Sequence, residues 1–352
     1  MQQYVRFVVR GVGVLLLLAV ALGAAGLSVQ AQSLPAATGS DSVTLSAGSY
    51  HTCGLQPNGS VVCWGDDFSG QATPPPGFFR SVSAGFFHSC GLGADGTPLC
   101  WGDNSFGQAT PPAGAFTAVS AGAYHTCGLR AAGTLACWGY NDDGQAGPPS
   151  GLFSAVSAGS YHSCGLRADG TLACWGRNTD GQASPPAGLF RTVSAGGAHS
   201  CGLRADGTLA CWGDNSLGQA TPPAGLFSTI SAGRTHSCGL RADNTAACWG
   251  DNFYGQATPP TGPFSALSAG RLHSCGLRPN GLPVCWGDNS YGQLTAPAGL
   301  FSLRQVAAGD FHTCALDPTG IPACWGKDDY LQAYPPNEVF TAITAGDQHS
   351  CG

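Results

Sequence analysis

The sequence predicts an all-β chain folded as a β-propeller, with one blade per repeat of about 37 residues. Three observations carry the prediction. A His-x-Cys triplet recurs at His51, His88, His125, His162, His199, His236, His273, His312 and His349, at intervals of 37 residues six times, then 39, then 37. A second Cys follows the first by ten residues in eight of these nine copies, and each second Cys is followed by Trp-Gly. The 352 residues include 54 Gly and 24 Pro, a content that disfavours long helices and favours short strands joined by tight turns. The repeat absorbs all 17 Cys, all nine His and all eight Trp, so none is left over to build a unique site.

The elements are taken in chain order. Residues 1–31 read as an export signal: Arg6 and Arg10 form a basic start, GVGVLLLLAVALGAAGL is apolar, and Val29-Gln30-Ala31 offers small residues for cleavage. The alternative is an uncleaved membrane anchor, for which the apolar stretch is slightly short. Residues 32–42 (QSLPAATGSDS) read as a disordered leader, and 43–352 as the repeat domain. Export places the Cys residues where disulfides form; a cytoplasmic chain would keep them as thiols. Removing Arg6 and Arg10 takes the formal net charge from −6 to −8. A chain this acidic does not suit nucleic acid, and no membrane span remains once the signal is gone.

Residues 115–151 serve for every copy. Phe116–Ser120 alternates and is β-rich, which predicts a first strand; His125–Leu129 and Thr134–Trp138 follow as second and third. Ala131-Ala132-Gly133 joins the last two as a three-residue hairpin loop, with Gly where the backbone must turn left-handed. A fourth, short edge strand is expected near Gln145-Ala146. The Gln here recurs in all eight full copies, Gln71 through Gln332, and reads as a buried side chain that satisfies backbone groups.

Counting from the loop, Arg130 closes opposite Thr134, and Cys127 then faces Cys137 at a non-hydrogen-bonded position, close enough for a cross-strand disulfide. The same geometry pairs Cys53 with Cys63, Cys90 with Cys100, Cys164 with Cys174, Cys201 with Cys211, Cys238 with Cys248, Cys275 with Cys285, and Cys314 with Cys324. Chain entropy gives about 2.5–3 kcal/mol as an upper figure for one such loop. Trp138 follows Cys137 and points to the other side, so both faces of the sheet are apolar and each needs a neighbour. A closed stack of such units is a propeller. An open β-solenoid is the alternative.

The pattern seen at 199–219, HSCGLRADGTLACWGDNSLGQ, resembles the regulator of chromosome condensation repeat, and the resemblance runs from residue 43 to the C-terminus. It implies a propeller, usually of seven blades. Known members include a nuclear exchange factor for a small GTPase, light sensors, interaction modules of larger proteins and secreted bacterial inhibitors of β-lactamase. The short repeat resembles the secreted bacterial branch. The exchange factor's inserted wedge has no counterpart, since no copy exceeds its siblings by more than two residues, so GTPase exchange is not expected. After eight full copies a partial ninth, VFTAITAGDQHSCG, stops one residue past Cys351. This predicts a piece of a longer gene product; the alternative is a complete protein with an unpaired Cys351.

Hairpin geometry puts the residues between Ala-Gly and His on the same face as those after Trp-Gly. These positions vary between copies, and aromatic and charged variety on a rigid frame is what a protein-binding surface needs. The candidate ligand-binding residues are Tyr50, Phe68, Phe86, Phe87, Phe106, Tyr124, Tyr161, Arg177, Arg234, Tyr254, Arg271, Tyr291, Phe311 and Tyr330. The plainer reading is that many of these rings pack against the next blade. The other face carries Arg130, Arg167, Arg204, Arg241 and Arg278, with Asp169, Asp206 and Asp243 close by, and reads as a solvated, locally neutralised ring.

His-x-Cys with a later Cys has the donor types for zinc, but an oxidising compartment bridges the Cys first. The Asp-Asn-Ser stretches lack the spaced acids and distal Glu of a calcium loop. No metal or cofactor is therefore expected. No acid, base or nucleophile forms an asymmetric cluster, although Asp142-Asp143 and Asp328-Asp329 leave glycosidase-like carboxylates open. The expected function is secreted or surface-located, non-catalytic binding of a protein or surface ligand. An extracellular enzyme acting on carbohydrate and a structural module of a larger surface protein are the alternatives.

Overall fold

The computed structural model describes residues 45–47, 51–55, 59–65, 67–290 and 292–296, and beyond them 303, 305–309, 311–319, 321–328, 333, 335 and 339. All belong to one unit, Asp41–Gly352. The expected export signal, the leader and the partial ninth copy beyond Val339, with Cys351, lie outside the described residues.

Among the described residues the chain forms eight three-stranded antiparallel sheets and no helix. In the third unit the inner strand is Phe116–Ala121, the middle strand His125–Arg130 and the outer strand Leu135–Gly139, each within one residue of the expected bounds. Arg130 N–H closes the hairpin on Thr134 O at 2.8 Å, and Gly133 sits at φ 80°, the left-handed region that excludes most side chains. Leu129 then faces Leu135, Gly128 faces Ala136 and Cys127 faces Cys137, the register read from the sequence. All eight pairs are disulfides within one unit, with Cα atoms 4.0–4.1 Å apart, the spacing of a non-hydrogen-bonded pair.

The expected fourth strand at Gln145-Ala146 is absent; this segment is a turn. Gly147 N–H donates to Gly144 O, and Ala146 N–H is taken by the Asn141 side chain at 2.8 Å. A side-chain acceptor thus replaces a sheet partner, and Pro148 and Pro149 bring no N–H to extend a ladder. Gln145 is fully buried, as read, and its Oε1 accepts Asp143 N–H. Its main-chain O accepts the indole N–H of Trp175 in the next unit at 2.8 Å, and the same bond recurs from Trp101 to Gln71 through Trp286 to Gln256.

The core lies between units rather than within them. Cys90 and Leu92 of the second unit pack against Phe116 and Trp138 of the third, and Cys201 and Leu203 of the fifth against Phe227 and Trp249 of the sixth. Phe116 also crosses its own middle strand at Gly128: a Cβ there would lie 2.5 Å from the ring, so only Gly admits it. Polar seams run beside this packing. Ala121 N–H donates to Ser83 Oγ of the preceding unit at 2.8 Å, and the bond repeats from Ala158 to Ser120 and onward to Ala308 and Ser268. Each unit therefore satisfies its neighbour's groups as well as its own.

The His of every described triplet from His88 to His312 is completely buried. His236 Nε2 lies 2.7 Å from Ser274 Oγ of the next unit. The Ser274 hydroxyl donates to Gln256 O at 3.0 Å, so the imidazole Nε2–H donates to Ser274. Burial lowers the His88, His162, His199 and His273 pKa to about 4, and burial with neighbouring imidazoles lowers His125 and His236 to about 3. These imidazoles are neutral inter-unit pins.

Candidate binding face

The middle strand starts at His and the outer strand ends at Trp-Gly, so the loops beyond both meet on one face. Backbone bonds fix the meeting: Tyr140 N–H donates to Tyr124 O at 2.9 Å, and Arg177 N–H to Tyr161 O at 2.9 Å. These loops carry side chains that the core does not use.

Three successive units bring six rings together there. Tyr124 is the hub, with centroids 5.5 Å from Phe86, 6.4 Å from Phe87, 6.0 Å from Phe106 and 6.0 Å from Tyr161. Tyr140 closes the group at 5.0 Å from Phe106 and 6.4 Å from Tyr161. The rings pack across units and also face outward; Phe106 is half exposed. Arg177 stacks on Tyr161 at 5.8 Å. Further round the face, Arg271 and Lys327 lie 5.0 and 5.5 Å from the centre of the Phe311 ring.

The sequence-predicted residues divide accordingly. Phe86, Phe87, Phe106, Tyr124, Tyr161 and Arg177 form one continuous group. Arg234 is exposed on the same face, and Arg271 and Phe311 form a second group. Tyr254 pairs with Phe253 at 4.9 Å, and Phe68 stands almost wholly exposed. Tyr50, Tyr291 and Tyr330 lie outside the described residues.

Sequence reasoning missed Tyr140. The signal was present: the residue after Trp-Gly is Asp66, Asp103, Asp214, Asp251 and Asp288 in five copies and Tyr140, Arg177 and Lys327 in three. The Asp has a structural job. Asp103 Oδ2 accepts Gln108 Nε2 at 2.7 Å, Asp214 accepts Gln219 at 2.7 Å and Asp288 accepts Gln293 at 2.9 Å. The buried Nε2 of Gln145, beside Tyr140, has no hydrogen-bond partner, and neither has that of Gln256 in the sixth unit, which carries Asp251. Phe253 was missed as well, in a slot that reads Ser in three of the other copies.

On the opposite face each Arg is engaged. Arg130 donates to Ala113 O at 3.0 Å and lies 4.6 Å over Phe116; Arg167, Arg204, Arg241 and Arg278 stack on Phe153, Phe190, Phe227 and Phe264 in the same way. Asp169, Asp206 and Asp243 accept from Thr171, Thr208 and Thr245 and so shape the turns. The Arg167, Arg204 and Arg241 charges also help to hold the Asp169, Asp206 and Asp243 carboxyls below the usual range, as a neutralised ring would, and the same Arg side chains cover the Phe rings.

Sheets of three strands, stacked through both faces at one per repeat, define a β-propeller. The Regulator of chromosome condensation (RCC1) repeat matches residues 43–71, 79–108, 116–145, 153–182, 190–219, 227–256 and 264–293, more than half of the chain, and the chain belongs to this family. The eighth unit folds as three strands, Gln305–Ala308, His312–Leu316 and Pro322–Gly326, beyond the matched segments. The ectodomain of the Physcomitrella patens receptor kinase CR4 is similar at 32% identity, over 73% of this chain and 75% of that one, with a TM-score of 0.57. The CRINKLY WD40 ectodomain of the Arabidopsis thaliana receptor kinase ACR4 is similar at 33% identity, over 70% and 94%, with a TM-score of 0.56. Human WBSCR16, at 18% identity over 63% and 83% with a TM-score of 0.53, shares the fold alone. No curated protein matches the chain.

Proposed function

We propose that this chain is an exported, non-catalytic binding module that engages a protein or surface ligand through the face carrying Tyr124 and Tyr140. The observation that carries the reading is the cluster of six rings around Tyr124. Tyr140 joins it from a position where the second, fifth and seventh units carry an Asp bonded to Gln. Clustered rings beside Arg are the composition of binding hot spots.

Two further observations support it. Eight disulfides suit an oxidising compartment, which fits an exported chain. Two similar structures at over 30% identity are ectodomains of receptor kinases. The repeated His residues from His88 to His273, the groups closest to acid–base chemistry, are buried and bonded to the next unit, which supports a place in the frame.

The test is affinity capture from culture medium and cell surfaces by the immobilised, oxidised chain, with the double variant Tyr124→Ser, Tyr140→Ser alongside. Hot-spot rings at the centre of an interface predict a loss of at least about tenfold in the captured component on the variant. Equal capture by both forms would refute the face.

A further inference from the structure

Three tyrosines stand together on this face. Their ring centroids lie 6.0 Å apart from Tyr124 to Tyr161, 6.4 Å from Tyr140 to Tyr161 and 6.5 Å from Tyr124 to Tyr140. All three are part-exposed, so a small oxidant in solvent reaches them. The arrangement is particular to this place in the chain. The slot after Trp-Gly holds Tyr in the third unit alone, and the fourth unit meets it with Tyr in the slot before His. The disulfides do not tie units to one another: each of the eight joins two cysteines of one unit.

The geometry points to Tyr140 and Tyr161 as an oxidative cross-linking site, where the two phenols couple into a dityrosine that ties the third unit to the fourth. Coupling does not require that this face bind a partner.

The oxidant is of the peroxidase type, with hydrogen peroxide as the electron acceptor. It takes one electron from each phenol, and each phenol gives up its O–H proton. The two phenoxyl radicals pair through ring carbons ortho to oxygen, which forms one C–C bond. The hydrogen on each joined carbon then leaves as a proton while each oxygen regains one, and both phenols are restored. In sum, two electrons and two protons leave the pair and reduce one peroxide to two waters.

Tyr140 has a proton acceptor at hand. Partial burial and then the hydrogen bond with the Asp142 side chain raise its pKa, so the hydroxyl is protonated and turned to that carboxyl. The proton released on oxidation passes to Asp142 and on to water. Tyr161 also acts electrostatically on the Tyr140 hydroxyl, so the two polar ends lie near each other, and the ortho carbons flank those ends. Tyr124 is nearer to Tyr161 but is hemmed in, with Phe86 and Phe106 at 5.5 and 6.0 Å besides the two tyrosines. Tyr140 and Tyr161 sit at the edge of the group, just past the outer strand of one unit and just before the middle strand of the next. Their planes are inclined at 73°, and a biaryl bond accepts a twist between its rings. Side chains of surface loops change rotamer in picoseconds to nanoseconds, which brings the ortho carbons into contact without unfolding.

The test treats the dilute, oxidised full chain with a peroxidase and hydrogen peroxide, then reduces the disulfides and digests after Arg and before Asp. Tyr140 falls on peptide 131–141, Tyr161 on 143–167 and Tyr124 on 103–130. The expected product, from chains that remain monomeric, joins 131–141 to 143–167 with the loss of two hydrogen atoms. Tyr140→Phe and Tyr161→Phe should each abolish it, and Tyr124→Phe should leave it. Asp142→Asn should slow its formation by at least about tenfold. A link through Tyr124 instead, links only between chains, or no link would overturn the site. Formation at the full rate in Asp142→Asn would overturn the part given to Asp142.

Discussion

Replacing Gly128 by Ala places a Cβ 2.5 Å from Cδ1 and 2.7 Å from Cε1 of Phe116, and 3.3 Å from Trp138. The ring cannot retreat, because Phe116 is 1% exposed and packs on Cys90 and Leu92 of the unit before. Overpacking of this kind costs about 1–3 kcal/mol. Phe116→Leu alone trades a ring for a smaller side chain and loses the Arg130 stack, at roughly 1–2 kcal/mol. Made together the two changes should not add. Leu vacates the space that the new Cβ needs, so the double variant should recover about 1–2 kcal/mol of the summed losses. The eighth unit already carries this combination. It has Leu303 in place of the Phe, Ala315 in place of the Gly, and Asp317 where the stacking Arg would stand. The assay is guanidinium unfolding of the oxidised chain, with hydrogen exchange at Leu129 as a readout local to the third unit, since repeat arrays do not always unfold as one. Strict additivity, or a double variant worse than the sum, would refute the idea that the ring dictates Gly128.

Three other outcomes follow from the same geometry. Asn244 occupies the left-handed turn position that is Gly in most other units, at φ 66°, so Asn244→Gly should stabilise the sixth hairpin by about 0.5–1 kcal/mol, read from its denaturation midpoint. Tyr140→Asp should restore the bond to Gln145 and raise stability by about 1 kcal/mol while weakening capture of the partner; a variant that gains neither stability nor loses binding would contradict the exchange. Stability should also depend on pH through the buried imidazoles. The unfolded chain protonates near pH 6.5 and the folded one only at about 3–4, so the stabilisation is complete above pH 6.5 and is lost as pH falls through that interval. Each histidine contributes a slope of about 1.4 kcal/mol per pH unit there, so urea melts should weaken steeply below pH 6, with uptake of several protons; a flat profile down to pH 4 would show that the imidazoles are not buried as a set.

Much of the frame was legible because it obeys local rules that the repeat states eight times. The hairpin register follows from a loop length and one Gly, and the Cys spacing follows from the register. The buried Gln was legible from its recurrence at the same place in all eight full copies. The absent fourth strand was misread, because Gln145-Ala146 looks extended while the acceptor that ends the sheet is the Asn141 side chain five residues earlier. The stacking of the Arg ring on Phe was not legible for a related reason: the Asp beside each Arg is its neighbour in sequence, whereas the Phe it covers comes within reach only across the sheet. Tyr140 escaped notice because attention fell on positions that vary freely, whereas its meaning lies in departing from an Asp whose partner, Gln145, becomes visible only in three dimensions.

The dependence of each unit on its neighbours, with a disulfide of its own joining its middle and outer strands, is tested most directly by mapping the sulfur links. Peptide mass analysis of the oxidised chain, digested without reduction, should return eight links, each joining cysteines ten residues apart, from Cys53–Cys63 to Cys314–Cys324. Cysteines joined between repeats, or left as thiols across these sixteen positions, would contradict it.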